Sequence, residues 1–537
     1  MDRNFYLLKL KGLTDKESNG ETLTENELKQ KKVIQGILAK IIEDEKKSHK
    51  YWDQQPMMST SYTENKIKDT TTSTANADEV EQMTSSLQIL SLKDENYVGP
   101  IEMKQVSDVR QEPEYLDPEL NLRWCSLDLL SNETNLEAST SALGSSSTTL
   151  STVGSGSKSS TIDEVYHLLA THYVEDNDNM FRFNYSHDFL MWALTSPGSC
   201  PELIVGLRST VDSSTDSTVK EGTLMGLITG VPIHINSYGK EVPMVEINFL
   251  CVHKSLREKR LAPTLISEIT RRTNLKNIWQ AVYTAGVQIP TPSAKCRYYH
   301  RQINSKKAIE VNFSRLPKGS TLSKAIKKYK VEEVQGEFRK MNLKIEKETY
   351  ELNFRPMERK DVPQVTQLLN RYLSKFKLFM IFTEEEVIHW LLPRPKVIAS
   401  FVIEKKTKES YIKQYKKLHR GTMPPDVEFY SEITDFCSYY HLPSAVLNNE
   451  KHDNLYVVYS FYNVPSTVSM ELLFKWLLHE AKNDGADVMN VLNLMENEDE
   501  LLRSLLFGPG DGFLHYYLYN WKSKFIEEPK DVGMVLL

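Results

Sequence analysis

Glycine is scarce in this chain, 22 residues in 537, and none falls in a Gly-x-Gly-x-x-Gly or Gly-x-x-x-x-Gly-Lys-Ser/Thr pattern. That excludes the dinucleotide fingerprint and the Walker loop as ways of holding phosphate. Cysteine is scarcer still: five residues, at 125, 200, 251, 296 and 437, odd in number and without a Cys-x-x-Cys pair. Neither a disulfide framework nor a zinc site is indicated, no metal is expected, and reduced thiols point to the cytosol. No apolar run reaches bilayer length and the first residues lack a hydrophobic signal core, so the expectation is a cytoplasmic protein without a transmembrane segment. Neither sign of charge dominates, 66 basic against 72 acidic residues for a net −6, which gives no general case for nucleic acid as a partner.

What is present is a 40% hydrophobic chain long enough for two or three domains. Its most informative stretch runs from Val245 to Pro263. Val245, Ile247 and Phe249 alternate with Glu246 and Asn248, the period of a strand, and Phe249 to Val252 is apolar on both faces. Lys254, Arg257, Lys259 and Arg260 follow, then Pro263 and a segment with Leu265, Ile266 and Ile269 at helical spacing. A strand leading through a cationic turn into a helix start offers backbone N–H groups, the positive end of a helix dipole and fixed charge at one point, which suits a pyrophosphate. On charge alone, a solvated basic face is the commoner meaning of such a run.

Along the chain, residues 1–48 combine a tail with an amphipathic helix over 25–50. Residues 57–92 and 131–161 are rich in Ser and Thr and read as an insert and a linker. Folded segments are expected at 162–350 and 351–537, with a Lys/Glu-rich connector over 316–352. Glu175, Asp176 and Asp178 lie on an acidic turn, Phe181 and Phe183 alternate like a strand, Thr284 sits at a strand's mouth, and Tyr298 and His300 fall on a turn. Gly508-Pro-Gly-Asp-Gly512 reads as a tight turn.

Glu246-Ile-Asn-Phe-Leu-Cys-Val-His-Lys254 resembles the first signature of the glycylpeptide N-myristoyltransferases. Gln280 to Val287, Cys296 to Arg301, Tyr459 to Val464 and Phe507 to Gly512 are similar to the same family, and the resemblance covers most of residues 162–537. It implies an α/β fold of two acetyltransferase-like halves sharing one saddle-shaped mixed sheet, the first half binding acyl-CoA and the second most of the peptide. It implies transfer of myristate from myristoyl-CoA, a co-substrate and not a prosthetic group, to the N-terminal glycine of proteins. Coenzyme A is then expected at Leu250, Cys251, Val252, Arg257, Glu258, Lys259, Arg260, Leu261 and Ala262, with Lys50, Tyr51 and Trp52 closing over it. The peptide is expected along Glu175, Asp176, Asp178, Phe181, Phe183, Asn248, Thr284, Tyr298, His300, Ser444, Tyr459 and Asn493.

The resemblance also assigns the general base to the carboxylate of Leu537 and the oxyanion donors to the backbone N–H groups of Phe249 and Leu250. Cys251 reads as an inert buried thiol. The chain departs from the pattern at His49, Tyr51, Glu258, Asn493 and Leu506. Those departures leave open a divergent paralogue that binds acyl-CoA or acylated peptides with little or no turnover. A third reading makes the N-terminal helix and the Ser/Thr-rich segments a scaffold docking on ribosomes or other partners. The enzyme reading expects a monomer.

Overall fold

The computed structural model describes residues 31, 34, 51–57, 94, 96–130, 160–174, 180–210, 220–316, 319–332, 340–345, 348–406, 417, 420–421, 431–447 and 449–537. Most of the N-terminal helix, the insert, the linker and the acidic turn, with Lys50, Glu175, Asp176 and Asp178, lie outside the described residues.

Among the described residues, fifteen strands form one mixed sheet. In chain order they are β1 (Leu122–Ser126), β2 (Ile204–Ser209), β3 (Leu224–Ser237), β4 (Lys240–Val252), β5 (Ala281–Ala285), β6 (Ala294–Gln302), β7 (Lys340–Ile345), β8 (Glu348–Pro356), β9 (Leu378–Met380), β10 (Ile398–Lys406), β11 (Ser431–His441), β12 (Val457–Val464), β13 (Val488–Leu492), β14 (Gly508–Tyr519) and β15 (Val532–Gly533). Across the sheet the order is β1-β2-β3-β4-β5-β14-β6-β13-β12-β11-β10-β8-β7, with β9 pairing both β3 and β15.

The alternation read around Val245 is the middle of a long hairpin. β3 and β4 are joined by Tyr238 (φ 51°) and Gly239 (φ 83°), the pair of left-handed residues whose twist matches flanking strands. Nearly all ladder pairs are antiparallel, but β4–β5, β12–β13 and the short β9–β15 are parallel. A parallel pair needs a crossover, and for β4–β5 and β12–β13 a single helix supplies it: α3 (Leu261–Leu275) after β4 and α8 (Met470–Asn483) after β12. The same β-α-β arrangement thus occurs once on each side of the sheet's centre, although the sequences of the two units share no visible repeat.

Further helices are α1 (Thr161–His172), α2 (His187–Leu194), α4 (Ser305–Glu310), α5 (Leu322–Lys328), α6 (Val362–Leu373), α7 (Glu384–Leu391) and α9 (Asp499–Ser504). Helices cover both faces. Phe436 and Tyr440 of β11 pack in one cluster with Val365 and Leu369 of α6, while Cys437 and Tyr439, pointing the other way, join Leu473 and Leu477 of α8. No helix among the described residues is long and apolar enough to cross a membrane.

Three sequence expectations need correction. Tyr298 and His300 are not on a turn; they are in β6, held between β14 and β13, because residues 294–302 alternate in burial despite their polar and aromatic density. Gly508 to Gly512 is the opening of β14, where the register slips between Pro509 and Phe513, so the glycines serve a bulge and not a tight turn. The expected connector over 316–352 contains α5, β7 and the start of β8, whose cross-strand pairing overrides a weakly patterned sequence.

Candidate active site

The site exists because two parallel strands part. β4 and β5 are in register only at Val245–Ala281 and Glu246–Val282. Past those pairs the strands diverge, and a cavity of about 260 Å³ opens between them. Asn248, Phe249 and Leu250 line one wall, Tyr283 and Thr284 the other, and Trp52 lies at its mouth. Trp52 stacks on Tyr283 with ring centroids 5.8 Å apart, and Tyr51 meets Trp52 edge-on at 5.2 Å. The structure thus brings Tyr51, Trp52, Asn248, Phe249, Leu250 and Thr284 together from segments far apart in the chain.

At this point β4 is kinked. Thr229 of β3 faces Asn248 and Leu227 faces Cys251, so Phe249 and Leu250 together oppose Ile228 alone, a β-bulge. Phe249 has φ 49°, left-handed backbone that a non-glycine residue adopts only when its surroundings enforce it. Its ring supplies the enforcement: it is buried, 5.2 Å from Tyr185 and 6.0 Å from Tyr173. The Phe249 N–H donates to Asn248 Oδ1 at 2.9 Å.

Leu537 is drawn to the same spot. Asn248 Nδ2 donates to the Leu537 main-chain oxygen at 2.5 Å, and the Leu537 N–H donates to Glu246 Oε1 at 3.3 Å. The preceding residues are fixed by Tyr516 Oη donating to Met534 O at 2.8 Å and by the Val535 N–H donating to Tyr462 Oη at 3.2 Å. Glu246 and Asn248 are two apart on β4, hence on one face, and grip both ends of Leu537. Glu246 was not singled out from the sequence. The available signal was a carboxylate two residues before Asn248 inside an otherwise apolar strand.

Burial pushes the Glu246 carboxyl up to about 7, with the Leu537 N–H pulling the other way. Its folded value lies above the unfolded 4.5, so the folded protein holds the extra proton between those values. The stability this group contributes is therefore present below about pH 4.5 and lost as pH rises through about 7. Glu246→Gln is expected to remove that loss. Urea unfolding at pH 5 and pH 8 should find the wild type losing about 2–3 kcal/mol more than the variant across the interval. Equal losses would mean that Glu246 is ionised in the fold.

The cationic turn follows β4. Glu258 (φ 71°) and Arg260 (φ 57°) are both left-handed, and α3 starts at Leu261. Arg257 Nη2 donates to His172 O at 2.6 Å, and the side chains of residues 257–260 are exposed. Cys251 is buried with its thiol pushed up to about 12, no state for a nucleophile.

The remaining expected peptide residues that the structure describes lie outside the lining of that cavity. Tyr298 meets Tyr459 edge-on at 6.4 Å. His300 Nδ1 is 2.6 Å from Asn490 Oδ1, and its ring lies 5.5 Å from Phe313, which in turn is 5.9 Å from Phe181. Ser444 pairs with Phe183 in a small separate sheet. Asn493 is tied into the fold: its Oδ1 accepts the Arg297 N–H at 2.7 Å and its Nδ2 donates to Asp499 at 3.0 Å.

The chain is similar to known proteins in sequence and in fold. The N-terminal domain of myristoyl-CoA:protein N-myristoyltransferase matches residues 151–296, and its C-terminal domain matches residues 310–415 and 427–535. Glycylpeptide N-tetradecanoyltransferase 1 of Arabidopsis thaliana is 45% identical over 374 residues, 70% of this chain and 76% of that protein. The glycylpeptide N-tetradecanoyltransferase of Plasmodium falciparum is 39% identical over 445 residues, 83% of this chain and 90% of that protein. The crystal structure of Saccharomyces cerevisiae N-myristoyltransferase with bound myristoyl-CoA superposes with a TM-score of 0.64 at 33% identity, covering 82% of this chain and 95% of that one. With both domains matched and the sheet in common, the chain belongs to the myristoyl-CoA:protein N-myristoyltransferase family.

Proposed function

We infer that this chain transfers the myristoyl group of myristoyl-CoA to the N-terminal glycine amine of protein substrates. Asn248 is the observation that supports the reading most directly, because one side chain touches both the bulge that faces the cavity and the residue proposed as base. A peptide amine has a pKa near ~8 and is mostly protonated at pH 7. The Leu537 carboxylate takes its proton, and the free amine adds to the thioester carbonyl. Charge gathers on the carbonyl oxygen, where the N–H groups of Phe249 and Leu250 are proposed to receive it, Phe249 once its bond to Asn248 Oδ1 is given up. The C–S bond then breaks, releasing the CoA thiolate, and the nitrogen gives up its second proton, which the thiolate takes, leaving a myristoylated amide and free CoA thiol. No enzyme thiol takes part.

The turn at Arg257, Lys259 and Arg260 with the start of α3 is proposed for the CoA phosphates, and Tyr51 and Trp52 for the lid over them. Tyr298, His300, Ser444 and Tyr459 are proposed to line the peptide path, and Asn493 to act there through Arg297 and Asp499. Residues 162–350 and 351–537 are proposed as the acyl-CoA and peptide halves. A cytoplasmic monomer fed by nascent chains at ribosomes completes the proposal; cell fractionation and sedimentation are the checks.

The deciding experiment is release of CoA thiol from myristoyl-CoA with a Gly-x-x-x-Ser peptide, set beside the same peptide N-acetylated. Turnover confined to the free amine is expected. Equal thiol release without any acceptor amine would make the chain a thioesterase, and tight acyl-CoA binding without turnover would make it a binder.

A further inference from the structure

On the face of β6 opposite Tyr298 and His300, Arg301 points into a second cavity, of about 630 Å³. Arg301 is only 4% exposed. Its Nε donates to Leu505 O at 2.9 Å, and its Nη1 donates to Tyr329 O at 3.0 Å and to Gln302 O. Nη2 has no hydrogen-bond partner among the described residues, and no carboxylate among them lies within 4.0 Å of the guanidinium. The nearest aromatic face is Tyr329, 5.4 Å from the guanidinium carbon. Burial pulls the Arg301 pKa down to about 10, which leaves it charged at neutral pH. A buried cation without a counter-ion is costly, and carbonyl oxygens replace only part of its hydration.

The rim adds charge of the same sign. Lys327 and Lys328 close α5, Lys330 follows, and Lys475 reaches over from α8, against Glu332 as the single carboxylate of the lining among the described residues. Lys475 is paired with Glu471 at 2.8 Å, whereas Lys327 and Lys330 are exposed and have no ion pair among the described residues. In a chain of net charge −6, this local excess runs against the average. A concave cleft with apolar walls, here Leu472, Trp476 and Leu505, concentrates the field of such cations where an anion would sit.

We propose that this cleft binds a small phosphorylated solute, with Arg301 Nη2 as the deepest donor and the lysines of α5 and α8 as the clamp. A phosphomonoester carries close to two charges and three acceptor oxygens, matching one fork donor and several point charges better than a single carboxylate does. A flat membrane surface does not reach a guanidinium this deeply buried. The cleft is carried on elements other than the cationic turn after β4, so it is a second anion site.

The test is calorimetric titration of inorganic phosphate into the full chain already saturated with CoA, which occupies the first site. One saturable site is expected, weakened at least about tenfold in Lys327→Glu/Lys330→Glu, where two attractive charges become repulsive. Arg301 anchors three carbonyls and its loss risks misfolding, so the exposed lysines carry the test; their variant should keep wild-type thiol-release turnover. No saturable phosphate heat in the wild type, or equal affinity in the double variant, overturns the proposal. Sedimentation with phosphatidylcholine vesicles, with and without phosphatidic acid, separates the sources. Vesicle binding that needs phosphatidic acid, without phosphate binding in solution, assigns the cleft to a lipid headgroup and overturns the solute.

Discussion

Removing Leu537 is expected to lower kcat by about 10²–10⁴, the range general-base catalysis contributes, while acyl-CoA affinity stays within about threefold. The new terminal carboxylate would sit one residue back, roughly 3.5 Å away, on Leu536, which is buried. That distance exceeds hydrogen-bond reach, and the last residues cannot slide to compensate because Met534 and Val535 are hydrogen-bonded to Tyr516 and Tyr462. The pH dependence separates loss of a base from misfolding. Raising pH from 7 to 9 frees the amine without help, so the truncated chain should recover rate over that interval more steeply than the wild type. Rapid-quench single turnovers at both pH values measure this. A loss under tenfold, or parallel pH profiles, would take the base role away from Leu537.

Asn248→Leu should also be damaging, lowering kcat by about 10–10². The change is close to isosteric, yet it deletes a donor to Leu537 and the acceptor of the Phe249 N–H together. A hydrogen bond to a charged group contributes about 1.5–3 kcal/mol, and without Asn248 Nδ2 the proposed base at Leu537 loses the donor that holds it. The variant should bind myristoyl-CoA normally, since Asn248 is assigned no contact with the CoA phosphates. Equal losses in kcat and in acyl-CoA affinity would instead mean that the whole bulge has collapsed. Glu246→Gln is the natural companion, because it keeps an acceptor for the Leu537 N–H and should leave kcat within a few fold.

Much of this arrangement was legible in residues 245–263, where alternation, a cationic run and a helix start are local signals, and the resemblance carried the fold class and the activity. The bulge was not legible. Nothing in Asn-Phe-Leu announces a left-handed phenylalanine; the strain is held by Tyr173 and Tyr185, which arrive from other segments. In the sequence Glu246 is only a polar member of an alternating strand; in the fold it is 7% exposed, with the chain's last residues against it. Tyr298 and His300 were misplaced for a related reason. A run dense in Arg, Tyr and His is polar by composition, and only flanking by β13 and β14 makes it an interior strand. Long-range pairing of this kind leaves no mark within a short window of sequence.

The position of β14 also sets a timetable for synthesis. It fills the gap between β5 and β6, yet β6 ends at Gln302 and β14 at Tyr519. At about 5–20 residues per second, a nascent chain waits roughly ten to forty seconds with two facing strand edges open and unpaired. Such edges invite pairing with a neighbouring chain. The enzyme therefore emerges with its most aggregation-prone surface at its centre, and shielding by chaperones should matter most during translation of its last third.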